Sequence, residues 1–111
     1  MGITKTELFS ERQNRLAAVA KALAHPARIA ILEHLLEVNS CINSNLVEEL
    51  GLAQPTVSQH LKALKDQGII KGSIEGTSMC YCIDPERWEE IGSLIQQFFG
   101  QYRAPQTPDC C

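Results

Sequence analysis

The apolar positions change period twice along the chain. From Thr4 to Leu23, the residues Leu8, Leu16, Val19, Ala20 and Leu23 recur at helical spacing. Thr4 with Glu7 three residues on has the spacing of a capping box at the start of that helix. Ala24-His25-Pro26 interrupts the pattern, and Pro26 opens a second helix, since a first-turn proline gives up an N–H that has no partner there. Ile29, Leu32, Leu35 and Leu36 are its core positions by spacing, flanked by Ile31 and Val38. Asn39 to Asn45 is rich in helix-capping residues and reads as a loop. Leu46, Val47 and Leu50 then predict a short helix from about Asn45 to Leu50. Gly51 follows where the chain must take a positive φ. Another helix opens at Gln54 or Pro55 and ends at Gly68, with Val57, Leu61 and Leu64 on one face and His60 at its edge. Helix, tight glycine turn, helix is the helix-turn-helix pattern.

After Gly68 the period shortens to two. Ile69 to Ile74 is short and rich in β-branched residues, Glu75-Gly76 supplies a turn, and Thr77 to Ile83 returns, which predicts a hairpin. Alternation puts Met79, Tyr81 and Ile83 on one face and Cys80 and Cys82 on the other. A helix-turn-helix followed directly by a hairpin is a winged helix. Its tip carries Glu75 and no arginine, so the expected groove contact from the wing is weak.

The period then lengthens again. Asp84 is an N-cap, with Pro85 at the first helical position and Glu86 near the positive end of the dipole. Trp88, Ile91, Ile95, Phe98 and Tyr102 recur at spacings of three and four, with Leu94 and Phe99 alongside. That face is wider than one small domain covers. With Leu8 and Leu16 of the first helix, Trp88, Ile91, Ile95, Phe98 and Tyr102 are therefore the candidate dimerisation residues. The fold class is mainly α with a two-stranded β-hairpin, in the order four helices, two strands, one helix. Residues 1–103 form one domain and 104–111 a tail expected to be poorly ordered when free.

Composition narrows the function classes. No apolar run approaches the roughly 20 residues of a membrane span, and the N-terminus has charges but no apolar core of a secretory signal. A cytoplasmic location is expected, with reduced thiols, and five cysteines fit free or ligand-binding thiols better than a disulfide framework. There is no Cys-x-x-Cys, no glycine-rich phosphate loop and no nucleophile triad, so an enzyme is not expected. The net charge of −3 is unevenly spread. Between Leu52 and Lys71 three lysines (Lys62, Lys65, Lys71) stand against one acid, Asp66. An acidic body with a basic reading surface suits specific DNA binding with a small phosphate contribution.

The outward face of the Gln54–Gly68 helix carries the chemistry. Gln54, Thr56, Ser58 and Gln59 are polar and uncharged, and Lys62 and Lys65 follow. Gln and Ser bond base edges, while Thr, Ser and Lys hold phosphates. A helix face that is only solvated more typically carries Glu–Lys pairs four residues apart. Arg28, in the first turn of the second helix, has the reach for a phosphate or for an acid on a neighbouring helix. His25 and His34 read as capping or surface imidazoles rather than ligands.

The segments KALAHPARIAILEHL, LGLAQPTVSQHLKALKDQGIIKG and EGTSMCYCID resemble the ArsR/SmtB family of bacterial repressors, over roughly Leu16 to Tyr102. The resemblance implies a homodimeric winged-helix repressor on a palindromic double-stranded operator, leaving when an effector binds and requiring no cofactor. By the match to the family's recognition helix, Gln54, Thr56, Ser58, Gln59 and Lys62 are the implied DNA contacts, and Lys65 continues the basic face. Two-fold symmetry would set two such helices in major grooves roughly 34 Å apart.

The effector sites transfer less well. Arsenic- and cadmium-sensing members carry Cys-x-Cys at the start of the first helix of the helix-turn-helix. Those positions fall here on Ile42 and Ser44, or, shifted by one residue, on Cys41 and Asn43. Zinc-sensing members use Asp and His pairs on the last helix, which here has no histidine. The remaining thiols suit a soft ion such as As(III). The candidate ligands are Cys41, Cys110 and Cys111, and secondarily Cys80 and Cys82, whose Cα atoms would stand ~6.6 Å apart on the strand. The alternatives are oxidant or persulfide sensing through the same thiols, and a winged-helix protein-interaction module with no metal effector.

Overall fold

The computed structural model describes residues 5–39, 46, 50–73 and 80–105. Among the described residues a short 3-10 turn, Lys5–Leu8, precedes four bounded helices and a hairpin. In chain order these are α1 (Glu11–Ala22), α2 (Pro26–Val38), α3 (Gln54–Asp66), β1 (Ile70–Ser73), β2 (Cys80–Ile83) and α4 (Pro85–Phe99). Leu46 and Leu50 are both helical, within the stretch expected to form the first half of the helix-turn-helix. The rest of that stretch, Thr4, and the wing residues Glu75, Gly76 and Met79 lie outside the described residues.

The first helix begins later than its apolar spacing suggests. Ser10 accepts from the Gln13 backbone N–H at 3.0 Å, and the Gln13 side-chain oxygen accepts from the Ser10 N–H at 2.9 Å. This complete capping box satisfies two otherwise unpaired donors and fixes the start at Glu11. Leu8 and Phe9 are left ahead of the helix and exposed.

The core gathers Val19 and Ala22 of α1, Ile31, Leu32 and Leu35 of α2, Leu46 between the helices, Val57, Leu61 and Leu64 of α3, then Ile69, Ile70, Tyr81 and Ile91. The buried stripe of α2 is turned from the expected one. Ile31 is fully buried, while Ile29 and Leu36 are 40% and 49% exposed. At about 100° per residue, Ile31, Leu32 and Leu35 define one arc, and Ile29 and Leu36 fall roughly 100° beyond its centre. Apolar residues thus run from the buried arc round one flank of the helix, which leaves spacing alone ambiguous.

The hairpin is antiparallel, with Ile70 opposite Ile83 and Gly72 opposite Tyr81. Tyr81 points into the core, and Cys80 on the other face is exposed, as alternation requires. Gly72 has φ +114, and a Cβ there would run into the Cys80 carbonyl. Only glycine lets the two strands approach at this point. In α4, Ile91 and Leu94 are buried and Trp88 and Ile95 pack partly against the same core. Ile91, expected at a dimer seam, therefore spends its surface inside its own subunit. The helix ends at Phe99, three residues short of Tyr102, with Gly100 as its cap.

Candidate nucleic-acid interface

Helix α3 is fixed from beneath by Val57, Leu61 and Leu64, all essentially inaccessible. Burying each contributes about 1.5–3 kcal/mol before entropy is counted. Its C-terminus closes in a Schellman arrangement. The Ile69 N–H donates to the Leu64 carbonyl at 3.0 Å and the Gly68 N–H to the Lys65 carbonyl at 2.8 Å, with Gly68 at φ +75. Ile69 and Leu64 are both buried, which supplies the apolar contact of that motif. The N-terminus has no side-chain cap: Ala53 occupies the cap position and Pro55 sits in the first turn. The positive end of the helix dipole is thus left for solvent or an anion.

Gln54, Ser58, Gln59, Lys62 and Lys65 fall within about 140° of arc that begins beside the buried face, at Gln54, and runs round to Gln59 on the far side. Gln54, Gln59, Lys62 and Lys65 are exposed and Ser58 is half-buried. Thr56 is also half-buried and lies about 60° beyond Gln59, outside this arc. The face carries two internal contacts. The Gln54 amide donates to the Ser58 hydroxyl at 3.0 Å, and Lys62 is paired with Asp66 at 3.0 Å. The first leaves the Gln54 oxygen and one amide hydrogen free, a donor–acceptor pair of the kind that reads adenine in the major groove. The second means that Asp66 offsets the charge Lys62 would bring to a phosphate.

Two arginines hold this helix from outside. Among the described residues Arg28 is paired with no acid: its Nε donates to His60 Nδ1 at 3.0 Å and its NH1 to the Ala22 carbonyl at 3.1 Å. The His25 ring lies 5.5 Å from that of His60, centroid to centroid. Burial first, then the Arg28 charge, then His25 hold the His60 imidazole below its ordinary protonation range. Arg87 of α4 donates to the Gln67 carbonyl at 3.1 Å, just past the end of α3. Neither partnership shows in any sequence spacing, because the partners are 32 and 20 residues apart.

Cys80 and Cys82 are free, the first exposed and the second half-buried. Among the described residues no group of three His, Cys, Asp or Glu side chains could hold a metal ion. Cys41, Cys110 and Cys111 lie outside the described residues.

Of the expected dimerisation residues, Leu8, Phe98 and Tyr102 are exposed, Leu16, Trp88 and Ile95 half-buried, and Ile91 buried. Phe98, Phe99 and Tyr102 are 49%, 70% and 74% exposed, and the two phenylalanine rings meet edge-on at 5.3 Å. With the Gln101 amide turned so that its oxygen faces Arg12, both terminal guanidinium nitrogens donate to it at 3.1 Å. The end of α4 and the start of α1 therefore share one end of the molecule.

A recognition helix seated on α2, capped by glycine and followed by a small antiparallel hairpin, defines a winged helix-turn-helix regulator. The family model for "Bacterial regulatory protein, arsR family" matches residues 25–71. The chain is 38% identical over 87 residues to the HTH-type transcriptional regulator MJ1325 of Methanocaldococcus jannaschii, covering 78% of this chain and 98% of that one. It is also similar to the solved structure of the cadmium metal-sensor CMTR from Mycobacterium tuberculosis, at 33% identity and TM-score 0.51, over 86% of this chain and 95% of that one. The crystal structure of the ArsR family transcriptional regulator RHA00566 shares the fold, with TM-score 0.66 at 24% identity over 86% of this chain and all of that one. The chain belongs to the ArsR family of DNA-binding transcriptional regulators. It is not an enzyme. Among the described residues, no helix is long and apolar enough to cross a membrane.

Proposed function

We propose that this regulator is a homodimeric repressor that sits on a palindromic operator in the cytoplasm and is released when a thiophilic metal or metalloid ion such as As(III) binds. The observation that carries the DNA-binding half is the polar, lysine-bearing stripe of α3. Gln54, Ser58, Gln59, Lys62 and Lys65 face outward while the opposite side of the same helix is sealed into the core. Thr56 is a phosphate contact at the margin. The exposed Leu8, Phe9, Phe98, Phe99 and Tyr102 support the dimer, since an apolar patch at one end of a small domain is unstable in water without a partner.

Thiol chemistry supports the ion. Cys41 with Cys110 and Cys111 supplies up to three soft ligands, and Cys80 and Cys82 supply two more. The similarity to a cadmium sensor points the same way. The second reading, oxidant or persulfide sensing, draws on Cys80, whose sulfur is free and exposed.

The test has two arms. In the first, Gln59→Ala is titrated by fluorescence anisotropy against a palindromic duplex enriched from a random pool. A loss of about 1–3 kcal/mol at fixed salt supports the reading face, and unchanged affinity rejects it. In the second, arsenite, antimonite, cadmium, zinc and peroxide are added to the protein–duplex complex. Release by a soft ion that disappears in Cys110→Ser/Cys111→Ser supports the tail thiols. Release by peroxide alone supports the rival.

A further inference from the structure

Three aliphatic side chains seat α3, and aliphatic packing is non-directional. Val57, Leu61 and Leu64 hold the helix down but do not by themselves fix its rotation about its own axis. The directional contact in its middle is the bond from Arg28 to His60. His60 lies one residue from Gln59 and two from Ser58 and Lys62, so its position sets where those side chains point. The same guanidinium is itself fixed by its bond to the Ala22 carbonyl at the end of α1.

We propose that Arg28 and His60 are positioning residues for DNA reading: their bond fixes the roll of α3 on α1 and α2, and protonation of His60 releases it. The inference rests on α3 being the reading helix. The chemistry is one proton. In the neutral ring Nδ1 accepts from the Arg28 Nε–H, so Nε2 carries the hydrogen. A proton added at Nδ1 removes the lone pair that takes the Arg28 hydrogen and puts one cation against another. The groups facing His60 are Arg28 of α2 and His25 just before it. Among the described residues no carboxylate is paired with either imidazole. Burial and these two neighbours keep His60 neutral at neutral pH, and the bond is therefore intact under ordinary conditions.

The direction separates positioning from simple electrostatics. A new positive charge near DNA strengthens binding to any duplex. Loss of the helix's roll weakens binding to the operator alone. The quantity to follow is the affinity ratio of the enriched palindromic duplex to a scrambled one, at constant ionic strength from pH 8 to pH 5.5. The expected result for the unaltered protein is a fall of about tenfold, the size of one charge-assisted hydrogen bond. His60→Asn puts an oxygen that does not titrate near the place of Nδ1. It is expected to keep the neutral-pH ratio within about threefold and to abolish the slope. Arg28→Met is expected to lower the ratio about tenfold at pH 7.5 with the circular dichroism spectrum unchanged.

A flat ratio in the unaltered protein, or an equal slope in His60→Asn, overturns the proposal. Nitrogen-15 NMR of the imidazoles decides the bond without DNA. An Nε2–H tautomer with protonation below the ordinary histidine range supports it, and an Nδ1–H tautomer overturns it. Gln59→Ala keeps the two readings apart: if it leaves operator affinity unchanged, the reading face is wrong, while the imidazole spectrum still judges the staple.

Discussion

Arg87 Nε donates to the Gln67 backbone carbonyl at 3.1 Å, tying the first turn of α4 to the last turn of the reading helix. A guanidinium at the negative end of a helix gains from both the hydrogen bond and the dipole. Its backbone is anchored as well, since the Arg87 N–H donates to Asp84, the cap of α4. Arg87→Met keeps the aliphatic stem and removes the bond. The expected loss is about 1.5–3 kcal/mol of unfolding free energy. Urea denaturation would show it as a lower midpoint with an unchanged slope.

The two glycines that frame this region differ in what surrounds them. At Gly68 (φ +75) an added Cβ meets the Arg87 side chain at 3.2 Å, and a long side chain can shift. At Gly72 (φ +114) it meets the Cys80 carbonyl and the Tyr81 Cα, which are backbone. Gly68→Ala is expected to cost about 1–2 kcal/mol for the left-handed conformation. Gly72→Ala is expected to cost more and to separate the strands. Thermal melts of both variants check the order, and equal midpoints would contradict it.

Tyr81 is fully buried, and among the described residues its hydroxyl has no hydrogen-bond partner. An unsatisfied buried hydroxyl costs about 1–3 kcal/mol. Tyr81→Phe is therefore expected to leave stability unchanged or raise it by about 1 kcal/mol. Burial also pushes the phenol up to about 12 from its ordinary 10.0. The folded state keeps the proton that the unfolded chain gives up. Its stabilising contribution is complete below pH 10, is lost as pH rises through that interval, and is gone above about 12. The unaltered protein should lose stability across this alkaline window more steeply than Tyr81→Phe, measured by urea titration at stepped pH.

Lys62 and Asp66 are both largely solvent-exposed, and their pairing adds little to stability. Its effect falls on binding. Asp66→Asn frees Lys62 without disturbing the fold and removes a negative charge from the face proposed to meet DNA. Affinity for operator and scrambled duplex should both rise, with the salt slope steeper by about 1. A rise confined to the operator would give Asp66 a base-reading role instead.

Helix α3 and its buried face were legible in the sequence almost residue by residue. Val57, Leu61 and Leu64 stand at an unambiguous spacing, and Gly68 marks a stop that only a left-handed residue provides. The hairpin faces followed from alternation, with Tyr81 inward and Cys80 outward. Helix α2 was harder because Ile29 and Leu36 are as apolar as the residues that the core takes. The start of α1 was set by Ser10, a stronger local signal than the apolar residues ahead of it. Thr56 showed its type but not its margin position, which depends on the roll of the helix. Arg28–His60 and Arg87–Gln67 were illegible because long-range polar contacts leave no period in the chain.

One guanidinium, that of Arg28, answers to two helices at once, at 3.0 and 3.1 Å. Helix α1 also runs against α4, where Arg15 and Glu90 stand 3.6 Å apart. A shift of about half an ångström at the end of α1 is enough to stretch one of the Arg28 bonds toward the limit of useful geometry. On the proposed reading of α3, a tug on Ala22 would therefore reach the residue beside Gln59 through one guanidinium and two hydrogen bonds.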